Sequence, residues 1–154
     1  MTLYFSYGAN MSRAVMRRPA PQARALGVAE LADHRFVITA DGYASVEPAR
    51  AEIVHGVLWR ITPRDRVTLD GWENVGGRLY RAETLAVRRK RCLAPVLVYF
   101  ARPGGEGRPK PGYIELVLAA AREWNLPEPY IRSLEDWTPT RPLGADVRKI
   151  REFR

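Results

Sequence analysis

The sequence predicts an α+β domain: a small closed or nearly closed mixed β-barrel with helices packed on its outside. Three observations lead there. Five or six strand-like runs rich in Val, Ile and aromatic residues precede a long C-terminal helix. One substantial helix interrupts them, so the regular strand–helix alternation of a doubly wound sheet is missing. The chain has 154 residues, which is one domain's worth and enough to bury a core of its own.

The elements follow in order. "TLYFSYG" alternates aromatic and small residues and stops at Gly8, as a strand running into a turn does. Ser12 is placed to cap a short helix through "RAVMRR", which Pro19 ends. "RALGVAELADHRFVITA" reads as β-structure, Asp41-Gly42 as a turn, and "YASVEP" and "AEIVHGVLWRIT" as further short strands. Thr62, Pro63 and Asp65 make a helix start, and that helix should run through "RVTLDGWEN" to a stop at Gly76-Gly77. "RLYRAETLAV" and "CLAPVLVYFA" are two more strands, followed by the loop "RPGGEGRPKPG". "YIELVLAAAREWN" carries apolar residues at helical spacing, and Leu126-Pro127 opens a last short helix, "EPYIRSLEDW". One domain over residues 1–137 is expected, with 138–154 a basic C-terminal tail, either free or packed on it.

Composition narrows the function classes. Lys and Arg number 25 against 17 Asp and Glu, a net charge of +8, and a basic surface attracts anions. Arg17-Arg18, Arg88 to Arg91 and the tail concentrate the charge. Arg88 to Arg91 falls between two strands and reads as a solvated hairpin turn, against the alternative of a phosphate-binding patch. No zinc-finger, RNP-type or GXXG pattern accompanies it, so no specific nucleic-acid partner is expected. No run of 18 apolar residues and no signal-like N-terminus is present, which predicts a cytoplasmic protein with no membrane partner. The single Cys92 precludes an intrachain disulfide and is expected to be a buried strand residue.

The chemical inventory is sparse. His34 and His55 lie in strand-like runs without a second ligand at metal spacing, so no metal site is expected. There is no GxSxG elbow and no phosphate or dinucleotide glycine fingerprint, so no cofactor is expected either. Two features remain. "YGAN", Tyr7 to Asn10, ends the first strand, and its glycine allows close approach of a ligand to the amides of Ala9, Asn10 and Met11. "LDGWENVGGRLY" places Glu73 near a helix C-terminus beside Trp72. The helix dipole and desolvation there would both raise a carboxylate pKa towards the range of a general base. Asp70, three residues earlier, would add to this if close. A surface glutamate and an ordinary strand-to-helix turn are the plainer readings of the same residues.

Taken in order, these segments resemble the gamma-glutamylcyclotransferase family, including its avirulence-induced relatives. "YFSYGAN" is similar to that family's opening Y-x-Y-G-S-N, and "GYASVEPA" with "VHGVLWRIT" to its next strands. "LDGWENVGGRLY" is similar to its L-D-x-x-E, and "PKPGYIELVLAAAREWNLPEPYIRSL" to its P-S-x-x-Y, helix and L-P-x-x-Y. The resemblance implies a small β-barrel with flanking helices. It also implies a cofactor-independent reaction on a small γ-glutamyl substrate, in which the α-amine attacks its own γ-carbonyl and releases 5-oxoproline and an amine or amino acid. By position it makes Glu73 the general acid/base. Tyr7, Gly8, Ala9 and Asn10 would hold the glutamyl end, with Tyr113 and Tyr80 lining the pocket. Ala9 stands where the family has serine, which removes a hydroxyl but keeps the backbone amide. The alternative on the same fold is a non-catalytic module that binds small anions. The two are distinguished by whether Glu73 faces the "YGAN" loop.

Overall fold

The computed structural model describes residues 1–73, 76–77, 79–102 and 104–139. The anticipated tail from 140 onward therefore lies outside the described residues. Five strands form a closed barrel: β1 (Thr2–Ser6), β2 (Arg24–Ile38), β3 (Ala44–Ile61), β4 (Tyr80–Arg89) and β5 (Cys92–Ala101), in the order β1-β3-β2-β4-β5. All pairings are antiparallel except β1 with β5, which closes the barrel in parallel through Tyr4 and Leu97. Among the described residues, one 3-10 turn (Ala9–Met11) and four helices flank it: α1 (Arg13–Met16), α2 (Pro63–Trp72), α3 (Tyr113–Glu123) and α4 (Glu128–Glu135).

Two sequence expectations are corrected here. "YASVEP" and "AEIVHGVLWRIT" are not separate strands but the two halves of one 18-residue β3. Ala51, between them, has φ +65°, and Asp33 opposite it has φ +57°. The Ala51 amide donates to Asp33 Oδ1 at 2.9 Å, and the register of β2 against β3 shifts at the same place. The pair bends both strands together, so the ladder continues through a local break that reads as a boundary in one dimension. Cys92, expected to be buried, is exposed at the start of β5.

Strand alternation assigns the two faces. Ala29 and Leu31 on β2, Val54 and Leu58 on β3, Val87 on β4 and Val96 and Val98 on β5 point inward and are buried. The outer face is covered by helices. Trp59 meets Trp124 edge-on at 6.1 Å, and His55 lies 4.7 Å from the Tyr130 ring of α4. The start of α2 is the expected one. The Asp65 amide donates to Thr62 Oγ1 at 3.1 Å and the Thr62 amide to Asp65 Oδ2 at 3.2 Å, a reciprocal capping box with Pro63 in the first turn.

Packing against Tyr130 has a consequence for pH. Burial pushes the His55 pKa below its ordinary 6.5, opposed by the Glu30 carboxylate 3.9 Å away. The unfolded chain therefore binds this proton more readily than the folded one. The stability due to neutral His55 is present above about pH 6.5 and is lost as pH falls through the lowered folded value. Melting temperatures from about pH 7.5 down to about pH 5 should fall more steeply for the parent than for His55→Gln. Parallel curves would remove His55 from the acid limb.

Candidate active site

Tyrosines line a cavity between the outer face of the barrel at one end and the elements that flank it. Six of the chain's seven tyrosines, Tyr4, Tyr7, Tyr43, Tyr80, Tyr99 and Tyr113, surround this cavity with Gly8, Ala9, Asn10, Ala44 and Glu73. Its water-accessible volume is about 40 Å³, a few times the roughly 10–15 Å³ that a single water needs. Glu73, Tyr7, Gly8, Ala9, Asn10, Tyr80 and Tyr113, the residues nominated for catalysis and substrate binding, all line this cavity. Glu73 is the C-cap of α2, its amide donating to Leu69 O at 2.8 Å. The helix thus ends at Trp72, before the two glycines expected to stop it. This places the carboxylate at the last turn, facing the "YGAN" loop 63 residues away in sequence.

Asn10 makes that connection. It is 6 % exposed, and its Nδ2 donates to Glu73 Oε1 at 3.3 Å and to Tyr4 Oη at 3.1 Å. An ionised carboxylate only accepts hydrogen bonds, so the amide must present its NH2 to Glu73. That orientation leaves Asn10 Oδ1 buried and without a partner, an acceptor suited to an N–H of a ligand.

Tyr113 is the second organiser. Its hydroxyl oxygen accepts from the amides of Ala44, at 3.2 Å, and Ala9. The Ala44 carbonyl accepts from the Tyr80 hydroxyl at 2.7 Å, so one peptide unit at the start of β3 is held from both sides. Gly8 is required here for space rather than for a left-handed backbone, since its φ is −114°. A Cβ on Gly8 would lie 2.8 Å from Tyr113 Oη and 3.1 Å from the Ala44 methyl. The Trp124 indole N–H donates to Met11 O at 2.7 Å, tying the same loop to the far end of α3.

The amide cradle is smaller than the sequence suggested. The Met11 amide is bonded to Gly8 O at 3.1 Å and the Ala9 amide to Tyr113. The cause is that the helix following "YGAN" begins as a three-residue 3-10 turn, which consumes its own first donors. Two neighbours of Glu73 also differ from expectation. Trp72 does not line the cavity. Asp70 is engaged with Tyr99 Oη at 2.6 Å and Arg66 Nε at 3.0 Å. One and three residues before Glu73, these side chains leave α2 in other directions, and tyrosine rings enclose the carboxylate instead.

Burial raises the pKa of Tyr4, Tyr7 and Tyr113 well above the ordinary phenol value, and the negative charge of Glu73 adds to it at all three. Burial followed by the bond to Asp70 does the same for Tyr99. These hydroxyls stay protonated throughout the physiological range and act as donors and fixed dipoles, not as bases. Tyr4, Tyr43 and Tyr99 were not nominated from the sequence. Tyr4 sits in the same "YFSYGAN" segment as Tyr7, but nothing in "LVYFA" marks Tyr99.

Replacing Tyr113 by Phe removes an acceptor shared by two backbone amides. It should cost about 2 kcal/mol of stability, because at least one buried N–H is left unpaired. Denaturant unfolding checks this; an unchanged midpoint would mean that water replaces the hydroxyl without cost.

The site is a tyrosine-lined cavity between the barrel's outer face and its flanking helices, on a fold shared with solved structures. A structure described as gamma-glutamyl cyclotransferase superposes with a TM-score of 0.85 at 22% identity, over 98% of both chains. A human protein described as uncharacterized gives 0.84 at 22% identity, also over 98% of both. YkqA from Bacillus subtilis gives 0.76 at 21% identity, over 88% of this chain and 53% of that one. No curated protein sequence matches. The sequence matches the AIG2-like family over residues 53–134, more than half of the chain. The chain belongs to the AIG2-like family. No helix among the described residues is long and apolar enough to cross a membrane.

Proposed function

We propose that this protein is a cofactor-independent γ-glutamyl cyclotransferase that releases 5-oxoproline from a small γ-glutamyl substrate, with Glu73 as general acid/base. The observation that carries this reading is the Asn10–Glu73 hydrogen bond at 3.3 Å. It turns the carboxylate towards the "YGAN" loop, the arrangement that separates a catalytic site from a module that merely holds an anion.

The chemistry asks for little beyond position. The substrate's α-nitrogen forms a bond to its own γ-carbonyl carbon, and the bond from that carbon to the departing nitrogen breaks. Glu73 takes a proton from the attacking nitrogen and returns one to the leaving nitrogen. Folding the glutamyl chain so that its two ends meet makes the step largely one of orientation, which a tight cavity walled by rigid tyrosines supplies. The unpartnered Asn10 Oδ1 suits the substrate's α-nitrogen. Ala9 in place of the family's serine leaves the amide–Tyr113 bond intact, so it affects affinity more than turnover.

The leaving group would lie towards Tyr43, which meets Tyr113 edge-on at 5.4 Å and has Lys110 Nζ 5.4 Å from its ring centre. The Gly- and Pro-rich loop is held here by Lys110 N–H to Gly42 O at 3.1 Å and Gly107 N–H to Ile38 O at 2.9 Å. The test is release of 5-oxoproline from a panel of γ-glutamyl amino acids and γ-glutamylamines. Turnover of any member establishes the activity, and the preferred member identifies the leaving group. No 5-oxoproline from the whole panel would favour the anion-binding module.

A further inference from the structure

The opposite end of the barrel carries a second arrangement that the cyclotransferase reading does not use. Tyr80, in the cavity, is the first residue of β4 and Arg89 is the last; ten residues of strand separate the two ends by roughly 30 Å. At the far end, Arg24 of β2 is paired directly with Arg60 of β3. Like charges opposite one another in a ladder are destabilising, with Cα atoms only about 4.5–5.5 Å apart.

Register places a third arginine beside them. Gly27 is paired with Leu58, so Gly27, Arg24, Leu58 and Arg60 share the inward face of the barrel. The Arg89 guanidinium lies over Gly27, 3.6–3.7 Å from where a Cβ would stand, and donates to Leu26 O. Gly27 has φ +125°, a conformation glycine takes readily. Three residues along a strand is roughly 10 Å, so the Arg89 guanidinium over Gly27 stands at the same mouth of the barrel as the Arg24–Arg60 pair. No ion pair joins any of them to a carboxylate among the described residues. Glu30, the nearest acid on β2, points to the outer face with His55. Asp65, the next acid after Arg60, is buried in its capping box.

We propose that this arginine mouth, Arg24, Arg60 and Arg89, binds a phosphate-type polyanion about the size of pyrophosphate. Guanidinium groups offer paired N–H donors that match phosphate oxygens, and Arg89 is already held in place by a backbone carbonyl. A bound dianion relieves the repulsion that the Arg24–Arg60 pairing otherwise leaves uncompensated.

The chain provides its own reporter. Cys92, the only cysteine, is exposed and is paired with Arg89 across the β4–β5 ladder. In the full chain, alkylation of Cys92 by uncharged iodoacetamide should be slowed saturably by inorganic pyrophosphate, and not by sodium chloride at matched ionic strength. Calorimetric titration should give a matching Kd, about tenfold weaker in both Arg60→Gln and Arg89→Gln. Arg60→Gln should also raise the melting temperature without ligand, because it removes the like-charge pair; a purely structural Arg60 would lower it. ADP binding no tighter than pyrophosphate assigns the site to free polyanions, and tighter ADP binding assigns it to nucleotides. Equal protection by chloride, or equal affinity in both variants, overturns the proposal. So does salt-steep oligonucleotide binding without saturable pyrophosphate binding. None of these readouts depends on 5-oxoproline release, so the inference stands or falls apart from the proposed activity.

Discussion

Replacing Glu73 by Gln is expected to lower kcat for 5-oxoproline release by about 10²–10⁴-fold, the usual contribution of a positioned general base. The substitution suits the site. A glutamine oxygen still accepts from Asn10 Nδ2, which donates to Glu73 Oε1 at 3.3 Å, so the loop and the tyrosine frame keep their positions. What disappears is the ability to take a proton. The loss should therefore fall on kcat, with KM changed little. Equal rates for parent and variant would remove Glu73 from the mechanism while leaving the fold and family untouched.

The largest expected effect on stability is at Gly56, far from any reacting group. A Cβ there would lie 2.3 Å from Ser6 O and 2.7–2.8 Å from the Phe5 ring. Phe5 is fully buried, and Ser6 Oγ accepts from the Trp59 indole N–H at 2.9 Å. Neither can move without opening the β1–β3 ladder. Gly56→Ala should cost about 3 kcal/mol, a fall in melting temperature of roughly 10 °C for a domain of this size. Calorimetry of the purified variant checks it. Because β1 runs straight into Tyr7 and Gly8, activity should fall with stability, unlike in Glu73→Gln, where the two separate. An unchanged melting temperature would show that β1 and β3 approach less closely than described here.

Gly8 and Gly56 show what a sequence can and cannot express about such constraints. Gly8 was legible, because it stands in a recognisable "YGAN" segment after a strand. The reason for it was not, because it lies in Tyr113, 105 residues further on. Gly56 carries no local signal at all: "VHGVLW" reads as an uninterrupted strand, and only the approach of β1 explains the missing side chain.

Local pattern determined the elements, the capped start of α2, the turn at Asp41-Gly42 and the basic hairpin between β4 and β5, since each depends on residues within a few positions. It also brought forward Glu73 and Asn10 as candidates, and the family resemblance added Tyr80 and Tyr113. Only the tertiary structure decided that they meet, because Asn10 and Glu73 are joined by barrel closure rather than by any shared segment. It likewise decided that Met11 and Ala9 spend their amides internally, that Asp70 serves Tyr99, and that Tyr4, Tyr43 and Tyr99 complete the wall. The facing of Arg24 against Arg60 belongs to the same class. Ladder register is a property of two strands, and neither strand records it alone.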